Sequence, residues 1–253
     1  MQDFVNKNSI VRDIWGNSDT ILLVFAGASA EFALNKAVDW LYFTGKLPND
    51  PMGRLFSTVN YAREIVFSDY NQALNSIDKI TSIHNAVEKS RGQVIPAWAY
   101  KDVLYMLIDY SVKSFEILER PLNLNEKQEV LDVFRIVGER MGLKELPVSY
   151  NEFETIRKEH LKNNLFYGEH TKDLYKQYKK HLGIFRYTLL IETQIMLLPK
   201  IARAHLNLRN FWLLQPLVAI YKIFKGIKFD WIIKEILLPP EYKTDIKNLN
   251  ISK

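Results

Sequence analysis

Apolar residues recur at three- and four-residue spacing in block after block of this chain, between short turns rich in polar residues, glycine or proline. That spacing collects them on one face of an α-helix. The stretch ILLVFAGASAEFALNKAVDWLYF reads as one helix, capped by Ser18 or Asp19. Its small-residue run, Gly27-Ala28-Ser29-Ala30, predicts close approach by another helix or by a flat ligand, tight helix packing being the simpler outcome. A loop from Thr44 to Pro51 follows, with Asp50 placed to cap the next helix and Pro51 at its first position. That helix carries Arg54, Thr58, Tyr61, Ala62 and Ile65. After a turn near Ser68-Asp69-Tyr70, the row Ile77, Ile80, Ile83, His84 and Val87 shares one face, which aims His84 at the core.

The pattern continues to the C-terminal region. Arg91-Gly92 ends the His84 helix, and Ile95-Pro96-Ala97-Trp98 opens another whose apolar set is Val103, Leu104, Leu107, Ile108, Ser111 and Phe115. Pro121 stops it. Further helices are predicted from Leu124 to a break at Gly142, from Tyr150 to about Asn163, and from Thr171 to His181 with Leu174, Tyr178 and His181 facing inward. Gly183 separates that charged helix from the apolar FRYTLLIETQIMLL, ended by Pro199, and apolar C-terminal helices fill 184–240. Sustained period-2 alternation, hairpin turns and strand–glycine loop–helix units are missing. The expected fold is all-α: one domain over 1–253 with about eight to eleven helices.

Composition narrows the chemistry. The 253 residues contain no cysteine, which excludes disulfides, thiolate metal sites, Fe–S clusters and thiolate-ligated haem. The histidines, at 84, 160, 170, 181 and 205, never fall at H-x-x-x-H spacing, so a zinc site of that kind is not expected. The net charge of +5 is concentrated at one end: Leu198 to Lys253 holds ten Lys/Arg against four Asp/Glu. Such an end suits a membrane surface or an acidic partner, and Trp212, Trp231, Lys222, Lys225, Lys228 and Lys234 alternate with aliphatics there. No nucleic-acid recognition motif is present. The N-terminus lacks the apolar core of a signal peptide, and the longest uncharged runs, Thr20–Ala30 and Asn210–Tyr221, have eleven and twelve residues, too few to span a bilayer. A cytoplasmic location, with peripheral contact to a membrane surface, is expected.

The candidate site follows from His84. A neutral imidazole on an apolar face is either a satisfied core histidine or a ligand. Arg54 and Thr58 stand one turn apart on the preceding helix. A buried imidazole with an arginine and a threonine nearby has the donors that a haem site needs, but the pattern does not compel that reading. Arg54 has three outlets: solvent, Asp50 or Asp39, and a haem propionate. Thr58 either bonds back to the carbonyl of Arg54 or serves dioxygen. Asp102 and Asp109, seven residues apart on one helix, read as structural partners of an arginine or a helix end rather than as an acid/base pair. Serine-hydrolase, P-loop and dinucleotide fingerprints are missing.

DPMGRLFSTVNYAREIVF, SIHNAVEKSRG, IPAWAYKDVLYMLIDYSVKSFEILERPL, VFRIVGERMGL and LPVSYNEF follow in that order. Together they resemble the MpaB/rubber-oxygenase (latex-clearing protein) family. The resemblance begins near Trp15-Gly16, is strongest over 15–157, and continues more weakly to LGIFRYTLL. It implies an all-helical domain enclosing a b-type haem. It also implies O₂-dependent cleavage of a C=C bond in an isoprenoid or other lipophilic, prenylated molecule. The histidine of the family's I-H-x-x-V motif is the proximal iron ligand and matches His84; its R-x-x-x-T pair near the haem matches Arg54 and Thr58. These three are the candidate site: His84 on the metal, Arg54 on a propionate or on dioxygen, Thr58 orienting dioxygen. Leu104, Leu107, Ile108 and Phe115 are candidates for the haem pocket or substrate path.

The chain departs from the family at several positions. Ser57 stands where rubber oxygenases can carry a distal lysine, which implies an open distal position, and Thr81 and Glu88 replace basic residues around the histidine motif. The family's catalytic glutamate is not placed; Asp39 lies near its expected position and is not assigned the role. No secretion signal is read, so an extracellular polymer is not the expected substrate, and the membrane anchor of MpaB is not read either. Two alternatives remain open: a haem-binding sensor or carrier without turnover, and a haem-free helical module for a membrane surface.

Overall fold

The computed structural model describes residues 2–45, 49–211, 218, 221 and 222, apart from the side chains of 51, 52, 55 and 56. Among these residues the chain is all-α, as its periodicity predicts. The helices are α1 (Ile10–Trp15), α2 (Ser18–Leu34), α3 (Val38–Phe43), α4 (Pro51–Phe67), α5 (Tyr70–Arg91), α6 (Ala97–Leu118), α7 (Leu124–Arg140), α8 (Tyr150–Asn164), α9 (Glu169–Leu197) and α10 (Lys200–His205). Extended structure among them is limited to two isolated bridges, Asp3–Asp69 and Asn35–Leu165.

Helices α2 and α6 form the centre. Both bury residues on nearly every side, as a helix sheathed by others must. The small-residue run on α2 serves helix packing: a Cβ on Gly27 would lie 2.5 Å from the Tyr110 ring of α6. Around this pair α1, α7, α8 and residues 197–202 complete one core containing Trp15, Val24, Ile108, Leu131 and Phe153. Leu104, Ile108 and Phe115 are buried there and Leu107 packs against it, so these pocket candidates are part of the central packing.

Local signals set most boundaries. Asp50 accepts from Gly53 N at 2.8 Å with Pro51 in the first turn of α4, as expected. Gly92 closes α5 in the left-handed region at φ 70°. Asn123 and Glu126 form a capping box on α7. Gly183, at φ 71° and ψ 169°, kinks α9 where the sequence separates a charged from an apolar helix.

Three expectations need correction. Asn17 caps α2, its Oδ1 accepting from Asp19 N at 2.9 Å, while Ser18 and Asp19 lie buried in the first turn. The helix predicted to run through Phe43 ends at Leu34. Asn35 turns extended, takes Ala37 N at 2.7 Å, and donates to Asp102 Oδ2 at 2.7 Å, which diverts the backbone into a bridge with Leu165. His181 is exposed, although Leu174 and Tyr178 are buried, because it precedes the kink that redirects α9. No helix of the described residues is long and apolar enough to cross a membrane. Trp212, Trp231, Lys225, Lys228, Lys234 and most of the basic segment predicted to meet a membrane lie outside the described residues.

Candidate functional site

Helices α4 and α5 form a hairpin turned at Ser68-Asp69, where Asp69 caps α5 by accepting from Asn71 N and Gln72 N, both at 3.1 Å. Arg54 lies 14 residues before Ser68 and His84 15 after Asp69. At the helical rise both stand about 21 Å from the turn, so the antiparallel pairing brings them level.

The surroundings of His84 differ from those its apolar row predicts. Ile77 is fully buried, Ile80 is half-buried, Ile83 is 43% exposed, and His84 itself is half-buried. A small core of Ile65, Ala73 and Ile77, with Val137 and Met141 from α7, covers only the first turns of α5. The end of α7 is tied to α5 at Asp78 by the Arg140–Asp78 ion pair at 2.6 Å, six residues before His84. His84 therefore sits in a niche of its own, between α4 and the start of α6.

In that niche the imidazole meets the edge of Tyr100, with centroids 5.1 Å apart and planes at 74°. Its Nδ1 is buried and finds no hydrogen-bond partner among the described residues. Burial pushes its pKa below the ordinary histidine value, the Arg54 charge adds to this, and Glu88 pulls weakly the other way. The group is held as a neutral imidazole, the form that can ligate a metal.

Arg54 is also set apart. Burial lowers its pKa, opposed by Tyr61, and no carboxylate among the described residues pairs with it. Its two sequence-level partners are engaged elsewhere. Asp50 caps α4. Asp39 is ion-paired with Arg91 and lies 3.6 Å from His170, contacts that hold its carboxyl below the usual range. Thr58 Oγ1 donates to the carbonyl of Arg54 at 3.2 Å, which is its helix-internal outlet.

A haem needs one protein donor with an available nitrogen, a cation for a propionate, and apolar walls. The imidazole of His84, with no hydrogen bond at either nitrogen among the described residues, the guanidinium of Arg54 and the aromatic wall of Tyr100 fit that donor set. Among the described residues no three His, Asp or Glu side chains are placed to hold a metal ion directly. A cavity of about 420 Å³ opens elsewhere, near the far end of α6, lined by Lys113, Ile117, Met196, Lys200 and Arg203.

Two buried polar networks escaped sequence reasoning. Arg157 donates to Glu31 at 2.6 and 2.5 Å and to Asp109 Oδ2 at 3.3 Å. Lys113 reaches Asp109 at 2.8 Å and Tyr110 OH reaches Glu31 at 2.7 Å. Two anions meet two cations, so the cluster is a neutral brace, and the structural role expected of Asp109 holds. Glu31 inside the apolar GASAEFAL was the available signal. Asp102 contacts His160 Nδ1 and accepts from Asn35 at 2.7 Å and Asn164 at 2.8 Å, which ties the α2–α3 turn to α8.

Fold and hairpin together give, among the described residues, an all-helical domain in which a half-buried imidazole stands level with an arginine that no carboxylate pairs. A family described as ER-bound oxygenase mpaB/B'/Rubber oxygenase, catalytic domain, matches residues 15–226, and the chain belongs to it. It is thus a member of an oxygenase family, which implies an enzyme using dioxygen and an organic substrate. No curated protein and no solved structure matches the chain.

Proposed function

We propose that this protein is a haem b-dependent oxygenase that cleaves a C=C bond in a lipophilic or prenylated small molecule, with 1–253 acting as one domain. The observation that carries the reading is the pairing of a half-buried imidazole with a half-buried guanidinium at one level of the α4–α5 hairpin, neither with a hydrogen-bond or ion-pair partner among the described residues. When bound, haem supplies the iron at which dioxygen is activated. His84 is the residue to hold it: burial and Arg54 keep the ring neutral, so its lone pair is free to ligate without first losing a proton. Arg54 binds a propionate or polarises dioxygen, since a partly buried guanidinium with no carboxylate partner among the described residues gains from an anionic one. Thr58 sits one turn further along the same helix, and release of its bond to the Arg54 carbonyl frees its hydroxyl to orient dioxygen.

The test is an absorbance spectrum of purified protein before and after haem is supplied, beside His84→Ala. A Soret band that the substitution removes or shifts supports the reading, and O₂ uptake with prenylated compounds then separates oxygenase from carrier. Folded wild-type protein that takes up no haem refutes it. An unchanged spectrum in His84→Ala keeps haem and rejects His84 as its ligand.

A further inference from the structure

Glu88 lies one turn beyond His84 on α5, so the two side chains share a face. Its Oε1 accepts from Ile95 N at 2.9 Å and from Tyr100 OH at 3.2 Å. Ile95 belongs to the short connection between α5 and α6, and Tyr100 to the first turn of α6. One carboxylate thus closes α5, the connection and α6 into a loop around the imidazole. Tyr100 is fixed at both ends: its hydroxyl on Glu88, its ring edge on His84.

The hydrogen bonds leave a matched pair of vacancies. Both bonds to Glu88 end on Oε1, and Oε2 carries none among the described residues. On the same face, one turn earlier, Nδ1 of His84 is buried without a partner. A histidine that ligates a metal through one nitrogen donates its other N–H to a carboxylate or carbonyl, which fixes the tautomer and makes the ring a stronger donor.

Resting on the haem reading above, we propose that Glu88 and Tyr100 are positioning residues for His84: Tyr100 sets the plane of the ring, and Glu88 Oε2 takes the Nδ1–H when Nε2 ligates iron. A carboxylate there pushes electron density towards the metal and favours its ferric state. Glu88→Gln keeps an oxygen for Ile95 N and Tyr100 OH, so the loop is preserved while the negative charge is lost.

The experiment is spectroelectrochemical titration of the haem-loaded full chain, for wild type, Glu88→Gln, Glu88→Asp and Tyr100→Phe, with His84→Ala as the ligand control. Glu88→Gln is expected to raise the ferrous-to-ferric ratio at fixed potential about tenfold, an upward midpoint shift of about 59 mV for one electron. Glu88→Asp restores part of the shift. Tyr100→Phe removes one of the two donors to Glu88 Oε1 and alters the electron paramagnetic resonance signature of the ferric haem, which reports ring orientation. If wild type binds haem through His84 and neither Glu88→Gln nor Tyr100→Phe moves potential or signature, the positioning roles are overturned and the haem reading stands. Wild type without haem uptake, or a wild-type spectrum in His84→Ala, overturns the reading and the proposal together.

Discussion

Replacing Arg157 by methionine tests the buried brace. The side chain is 5% exposed and its partner Glu31 1% exposed, so neither charge has recourse to water. The substitution removes both short bonds to Glu31 and the two longer ones to Asp109. Asp109 keeps Lys113, while Glu31 keeps, among the described residues, the Tyr110 hydroxyl alone. Breaking a buried ion pair from one side costs about 3–5 kcal/mol, because the remaining charge is left desolvated. Native domains are stable by roughly 5–15 kcal/mol, so the loss is a large share of the whole. With a urea m-value of about 3 kcal/mol per M, the unfolding midpoint falls by about 1–1.7 M. The double variant Glu31→Gln, Arg157→Met removes the stranded carboxylate and recovers part of the loss, so the two substitutions are non-additive. Denaturant unfolding followed by circular dichroism measures both. A loss under about 1 kcal/mol for Arg157→Met, or strict additivity in the double variant, refutes the claim that the brace supports the α2–α6–α8 packing.

The remaining predictions concern acid stability, the imidazole and two glycines. Burial alone would raise the Asp109 pKa, but Lys113 and Arg157 overturn this and hold it below 3.8. Its contribution is therefore complete above that value and lost as pH falls through the depressed folded-state pKa, and Arg157→Met shrinks this acid-dependent part in pH-resolved melting curves. His84, whose folded-state pKa is lowered by burial and by Arg54, is protonated more readily in the unfolded chain. Apo-protein stability thus declines as pH drops below about 6.5 towards the folded value, and His84→Asn flattens that part of the profile. Gly27→Val drives a side chain into the Tyr110 ring, which its bond to Glu31 prevents from yielding; the expected loss is about 1–3 kcal/mol by thermal or urea unfolding, and a neutral result would show that the ring moves. Gly183→Ala forces a side chain into a region open essentially only to glycine and lowers stability by about 1–3 kcal/mol, although no atom lies within 4 Å of the added methyl.

Much of the candidate site was legible because a hairpin's geometry is written in spacing. Nearly equal distances from Ser68-Asp69 bring Arg54 and His84 level, and the I-H-x-x-V and R-x-x-x-T residues carried the family resemblance that the match over 15–226 bears out. The environment of His84 was not legible. An apolar row shows which way residues face, but not how far along the helix a neighbour covers them, and Ile83 is left 43% exposed. Glu88 read only as a replacement for a basic residue of the family, and Tyr100 as an ordinary helix residue, until the turn at Gly92 brought one against the other.

The sequence by itself determined the helical class, most helix ends and the kink at Gly183, because periodicity, caps and breakers act within a few residues of where they are written. It also favoured tight helix packing at Gly27–Ala30 over the approach of a flat ligand. Tertiary structure alone decided what packed against α2, and where long-range partners met: Arg157 with Glu31 across 126 residues of chain, His160 with Asp102 across 58. It also ended α2 at Asn35, by offering that side chain an aspartate from α6. The physical reason is range: local backbone preferences of about 1 kcal/mol propose the helices, while burial of a charge, which costs several times more when unpaired, selects the one arrangement in which Glu31, Asp109, Arg157 and Lys113 meet.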